Sequence, residues 1–177
     1  EGEPCNECPS CKAFEAGSNI DILEIDAASN NSTDSMKELI AGLEMSLPRY
    51  GSHSVYIIDE VHMLSAAAFN TFLKTLEEPP AHVVFILATT EKHKVLATVL
   101  SRCQIFDFNR IQVDDTINFL ANIAEKEDVK CDREALNLIA LKADGAMRDA
   151  LSSFDQVVSF SDGYITRERV IESLNLL

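Results

Sequence analysis

Four residues, Val55-Tyr56-Ile57-Ile58, constrain this chain more than any other stretch. They make an unbroken apolar run rich in β-branched residues, and a strand apolar on both faces belongs in the middle of a parallel sheet covered by helices. Two carboxylates, Asp59 and Glu60, follow where the run stops. Open α/β sheets bind ligands at the carboxyl ends of their strands, so this pair stands where chemistry is expected. The competing reading is an acidic strand end facing water; what surrounds the pair in the chain weighs against it.

A second apolar run, Val83 to Ala88, ends in Thr89-Thr90 and delivers polar groups to the same edge of the predicted sheet. Asp21 to Ala27 alternates and reads as a further strand. Between these strands, Met36, Leu39, Ile40, Leu43 and Leu47 follow helical spacing, with Ser35 and Glu38 as a capping box. Pro48 to Ser52 ends that helix. Ser65 can cap another helix, whose stripe of Phe69, Phe72, Leu73 and Leu76 is core and which Pro79-Pro80 stops. Leu96 to Leu100 reads as a short helix leading to Ser101-Arg102-Cys103, and Gln104 to Phe108 alternates like a strand. Alternating strands and helices argue an α/β sheet.

From Val113 onward the pattern is helical, without a convincing strand. Segments are marked by Ile117, Leu120, Ala121 and Ala124, by Leu136, Ile139 and Ala140, and by Met147, Ala150, Leu151, Phe154, Val157 and Val158. Ser161-Asp162-Gly163 reads as a turn and Thr166 as the cap of a last helix through Leu174. The predicted organisation is an α/β domain over residues 1–111 and a small all-helical domain over 112–177. By pattern alone, Arg148 at the start of the third helical segment is a solvated side chain.

At 177 residues the chain can bury a real core. Its 15 basic and 29 acidic residues give a formal charge of −14, a poor footprint for binding nucleic acid unaided. No run approaches the roughly 18 apolar residues of a membrane span, and no signal peptide is visible. The five cysteines do not form a disulfide framework, which favours a reduced, cytoplasmic protein. Three of them, Cys5, Cys8 and Cys11, have the C-x2-C-x2-C spacing at which thiolates converge on one zinc. A ferredoxin run would place a fourth Cys where Glu15 stands. An upstream fourth ligand or free thiols remain open.

Val55 through Leu64 resembles a Walker B segment. Phe72-Leu73-Lys74-Thr75-Leu76-Glu77-Glu78-Pro79-Pro80, Leu87-Ala88-Thr89-Thr90, Leu100-Ser101-Arg102-Cys103 and Gly145-Ala146-Met147-Arg148-Asp149-Ala150-Leu151 follow in order. Together with the three-cysteine segment they resemble the AAA+ modules of the tau/gamma family of bacterial DNA polymerase III clamp-loader subunits, through essentially the whole chain. The resemblance implies a partial AAA+ module, a parallel sheet flanked by helices with a zinc-binding insertion, followed by a helical lid. Asp59 would hold Mg²⁺ at the ATP phosphates and Glu60 would orient the attacking water. Thr90, or Thr89 in second place, matches the sensor of the γ-phosphate. Arg102 matches the arginine finger offered in trans, and Arg148 the second sensor on the lid. The implied partners are other clamp-loader subunits in a hetero-oligomer, the sliding clamp and the replicative polymerase, with primer–template DNA reached through the assembly.

A P-loop, G-x-x-x-x-G-K-[ST], is absent from the 177 residues. In the family it precedes the cysteine segment, as does the fourth zinc-ligating Cys, and a collar domain follows the lid. The expectation is a piece of a longer protein that binds ATP weakly on its own and does not turn it over. One rival is a non-hydrolysing, delta-prime-like stator of the same assembly, which needs neither the metal acid nor the lid sensor. Another is a DExH-type helicase lobe, suggested by Asp59-Glu60-Val61-His62, which should continue into a second α/β domain. The last is a binding-only zinc module, which leaves the ordered motifs unexplained.

Overall fold

A computed structural model of the chain describes residues 3–45, 47–161 and 163–176. The chain divides into two compact units, Glu1–Ile105 and Phe106–Leu177. The first opens with helix α1 (Pro9–Glu15), then β1 (Ile22–Asp26), α2 (Thr33–Met45), β2 (Ser54–Asp59), α3 (Ala66–Glu77), β3 (Val83–Leu87) and α4 (Ala97–Leu100). The three strands form one parallel sheet in the order β1-β2-β3. Its register sets Asp26 beside Asp59 and Tyr56 beside Phe85.

Helices α2 and α3 bury their apolar faces against one side of this sheet. Met36, Ile58, Val61, Phe69 and Phe72 are buried together, with Leu39, Ile40, Phe85 and Leu87 packed against them. Phe72 is fully buried and meets the Phe85 ring edge-on, with centroids 5.0 Å apart and planes at 88°. That geometry adds electrostatic attraction to area burial. The alternate positions of β3, Val84 and Ile86, are 41% and 47% exposed. In β2, the strand expected to be covered on both faces, Val55 and Ile57 on the second face are half-buried, so the open positions are those of β3. A continuous apolar run permits double burial but does not supply the second cover.

Local capping follows the sequence closely. Ser65 Oγ accepts the Ala68 N–H at 3.2 Å and starts α3 as expected. For α2 the hydroxyl in that role is Ser32, whose Oγ accepts the Ser35 N–H at 3.1 Å, so Ser35 lies inside the helix. Leu47, assigned to the same stripe, falls beyond the helix end and is exposed. At the amino end of the sheet Asp21 is buried, and its carboxylate accepts the backbone N–H groups of Arg49 and Tyr50 at 2.7 and 2.6 Å. Burial alone would raise its pKa, but those bonds and that of Gly51 hold it below the usual carboxylate value.

The second unit contains α5 (Val113–Lys126), β4 (Lys130–Cys131), α6 (Arg133–Ala143), α7 (Met147–Phe160), β5 (Tyr164–Ile165) and α8 (Arg167–Ser173). All four helices contribute to one core, in which Leu120, Ile139, Phe154, Val157 and Val170 are buried. Two differences from the sequence expectation stand out. The predicted strand over 104–108 has no strand assignment, and Phe106 and Phe108 are exposed; alternation describes a side-chain pattern but provides no neighbouring strand to pair with. Conversely, β4 and β5 pair in parallel, each only two residues long and too short to leave a periodicity. The predicted turn at Ser161-Asp162-Gly163 includes Asp162, which lies outside the described residues. Among the described residues no helix is long and apolar enough to cross a membrane.

Candidate functional site

The parallel register sets the carboxyl ends of the three strands side by side. The ladder runs one step past β3: Ala88 N–H donates to Ile58 O at 2.9 Å, and Val61 N–H donates to Ala88 O at 3.0 Å. Thr89 and Thr90 are thereby carried to Glu60. Asp59 ends β2 exposed, its Oδ1 accepting the Glu60 N–H at 2.9 Å. Asp26, at the end of β1, has its carboxylate engaged by Ser29 Oγ at 2.6 Å and Ala28 N–H at 2.8 Å, so it closes a turn. These bonds, that from Ser29 foremost, lower its pKa.

Glu60 has φ 48° and ψ 42°. This left-handed conformation costs a non-glycine residue about 1–2 kcal/mol and persists only where the surroundings over-determine it. The surroundings here are polar. Thr90 Oγ1 donates to Glu60 Oε2 at 3.3 Å, and His62 Nδ1 lies 3.2 Å from the same oxygen. His62 Nδ1 is also 2.9 Å from Thr89 Oγ1, which accepts the Glu91 N–H at 3.0 Å. Lys94, 2.7 Å from Glu91, is the main reason the Glu91 carboxyl is held below its usual range. The sheet edge thus brings Asp59, Glu60, Thr89 and Thr90 together. It adds Glu91, absent from the sequence expectation, and His62, which enters that expectation only for the helicase lobe.

Arg102 follows α4. Its Nη2 donates to Glu77 Oε1 at 2.6 Å and its Nη1 to Thr98 O at 2.5 Å, so it is held against the end of α3. Burial pushes the neighbouring Cys103 thiol up. Arg148 belongs to the helical unit, where it is the second residue of α7 and exposed. The turn before α7 is tightly determined. Gly145 has φ +79°, and a Cβ there would come within 2.6 Å of Arg110 Cβ and 2.9 Å of Ile111 O. The Arg110 guanidinium donates to Asp144 O at 2.7 Å and also pairs with the Asp144 carboxylate.

The three N-terminal thiols converge. Cys5, Cys8 and Cys11 place their sulfurs within 4.8 Å of one another, with Cys5 and Cys11 3.9 Å apart. Ligands about 2.3 Å from a tetrahedral zinc stand ~3.8 Å from each other, so the residues fit such an ion. Cys5 is pulled down to about 7, first by the Glu7 backbone N–H and then by that of Cys8. Cys11 is raised, mainly because it shares a hydrogen bond with the Cys8 thiol. The thiolate is the ligating form. Among the described residues the cluster has these three members.

Comparison with known proteins follows the same division. Residues 1–112 match the family described as "DNA polymerase III, delta subunit", and residues 117–163 match "DNA polymerase III clamp loader subunit, ATPase lid domain". DNA polymerase III subunit tau of Bacillus subtilis is 52% identical over 90% of this chain and 28% of its own length. Subunit gamma of Buchnera aphidicola is 42% identical over 98% of this chain and 47% of its own. The chain spans less than half the length of these relatives. Among solved structures, the Thermotoga maritima RuvB Holliday junction branch migration motor superposes with a TM-score of 0.71 at 20% identity, over 94% of this chain and 56% of that one. A DNA polymerase III gamma subunit-related protein from the same organism gives 0.51 at 24%, over 87% and 55%. These two establish the fold, an AAA+-like α/β unit with a helical lid. With more than half its length matched, the chain belongs to the clamp-loader subunit family of DNA polymerase III, and it is similar to that family's tau and gamma members.

Proposed function

We propose that this chain is the Walker B, sensor and finger-bearing part of an ATP-driven clamp-loader subunit, acting in the cytoplasm. In this reading the α/β core covers residues 1–111 and the lid 112–177. The observation that carries it is the meeting of Glu60 and Thr90 at 3.3 Å beside Asp59, at the carboxyl edge of a parallel sheet. Glu60 orients the attacking water, and Thr90 senses the γ-phosphate, with Thr89 beside it. Arg102 is offered in trans to a neighbouring subunit's nucleotide. Arg148 contacts the phosphates from the lid. Asp59 is the residue that would hold Mg²⁺, which neutralises charge on the β- and γ-phosphates when bound. Cys5, Cys8 and Cys11 would hold a structural Zn²⁺.

In a protein of the relatives' length, ATP binding drives assembly with the other clamp-loader subunits on the sliding clamp and primer–template DNA. Hydrolysis then releases the clamp to the replicative polymerase, within a DNA-directed DNA polymerase holoenzyme. The decisive measurement is MgATP turnover by the longer protein, assembled with its partner subunits and primed DNA, for wild type and Glu60→Gln. The expected result is turnover lowered at least about 100-fold in the variant, with ATP binding retained. Equal rates, or none in either, would promote a second reading. In that reading the chain is a stator that does not hydrolyse ATP, which the match of residues 1–112 to a family described by the delta subunit favours.

A further inference from the structure

We infer that His62 is a positioning residue, which holds the Glu60 carboxylate in the orientation that water activation requires. The inference rests on the proposed role of Glu60 and extends it to a side chain outside the motif roles. His62 leaves the short 3-10 turn Val61–Met63 directly after Glu60, and its side chain is only 8% exposed. A buried imidazole needs partners for its polar atoms; here Thr89 supplies one for Nδ1, and Glu60 and Glu91 stand as charged neighbours. Nδ1 faces Thr89 Oγ1 at 2.9 Å and Glu60 Oε2 at 3.2 Å, while Nε2 lies 3.9 Å from Glu91 Oε1.

An ionised carboxylate only accepts hydrogen bonds. We place the proton on Nδ1, which shares a hydrogen bond with Thr89 Oγ1 at 2.9 Å and has the Glu60 carboxylate as a charged neighbour at 3.2 Å. Thr89 Oγ1 then accepts from both Nδ1 and the Glu91 N–H, which uses both of its lone pairs. Among the described residues, the side-chain contacts of Glu60, from Thr90 and His62, both fall on Oε2. Oε1 is the oxygen that would face the attacking water. The left-handed backbone of Glu60 is what brings residue 62 back against the side chain of residue 60. The residue after β2 provides the acid, the segment after β3 provides the threonines, and His62 lies between the two, bonded to Thr89 and facing Glu60.

The test uses the longer protein in its assembled complex. Asn retains an N–H donor near the place of Nδ1, Gln places one near Nε2, and Ala retains neither. His62→Ala is expected to lower kcat about tenfold or more, as small misplacements of a catalytic group do, with KM for ATP within about twofold. His62→Asn recovers most of that loss and His62→Gln does not. Wild-type kcat in His62→Ala, or an equal loss in all three variants, would overturn the inference. Nitrogen-detected NMR of the 177-residue chain gives an independent readout. The proton is expected on Nδ1, with a resonance that moves in Glu60→Gln; a proton on Nε2 alone would sink the assignment. Turnover abolished by Glu60→Gln but indifferent to His62 defeats only the role given to His62. Turnover indifferent to Glu60→Gln defeats the ATPase reading and the inference with it, while the NMR signal still reports the contact.

Discussion

The two units of this molecule are stabilised in different ways. In the helical unit every helix turns an apolar stripe into one shared core. In the α/β unit α2 and α3 cover one face of the sheet, Val84 and Ile86 of β3 on the other face stay exposed, and the polar edge holds a strained glutamate. The first arrangement serves stability with little left over for chemistry. The second keeps its carboxylates solvent-accessible and places its apolar support beneath them. Residues that would act on a ligand sit at the end of a strand whose buried side chains are fixed by α3.

If that contrast is right, the largest stability effect should come from Phe72, which ties α3 to the sheet through Phe85. Phe72→Ala should cost about 3–5 kcal/mol, read by denaturant unfolding, and should strip hydrogen-exchange protection from β2 and β3. A loss below about 1 kcal/mol would mean the one-sided core does not depend on that ring. The helical unit is most sensitive at its turn. Gly145→Ala forces a side chain into a left-handed site already filled by Arg110 and Ile111, and roughly 2–3 kcal/mol should be lost. The same assay should show protection falling in α7.

A smaller effect distinguishes the units by pH. Asp21 has a folded pKa below its ordinary value. Its contribution is therefore complete above about pH 4 and disappears as pH falls through the depressed folded value. Asp21→Asn should lose about 2 kcal/mol at neutral pH, and the gap from wild type should close in stronger acid. A gap independent of pH would show that packing, not the carboxylate's charge, is what Asp21 supplies.

Much of this architecture can be read from the chain itself. The run Val55–Ile58 places Asp59 and Glu60 at a strand end because four apolar residues can be stopped only by a boundary. Ser65 caps α3 because it is the last hydroxyl before a helical stripe. The four helices of the second unit announce themselves because a closed core demands periodicity from each. The rest depends on partners that a linear reading does not contain. Gln104–Phe108 alternates without a neighbour to pair with. Among the hydroxyls at residues 29–35, only backbone geometry selects Ser32 as the cap. His62 takes on meaning only when β3 brings Thr89 within 2.9 Å.

The uncovered positions on β3 also have a colloidal consequence. Val84 and Ile86 are exposed apolar side chains on a particle with a formal charge of −14, so like-charge repulsion should oppose the meeting of neighbouring molecules there. That repulsion reaches about 30 Å at 0.01 M salt and only about 10 Å at 0.1 M. The chain should accordingly disperse best in dilute buffer, and added salt, by shortening the reach of its own charge, should favour contact through these positions of β3.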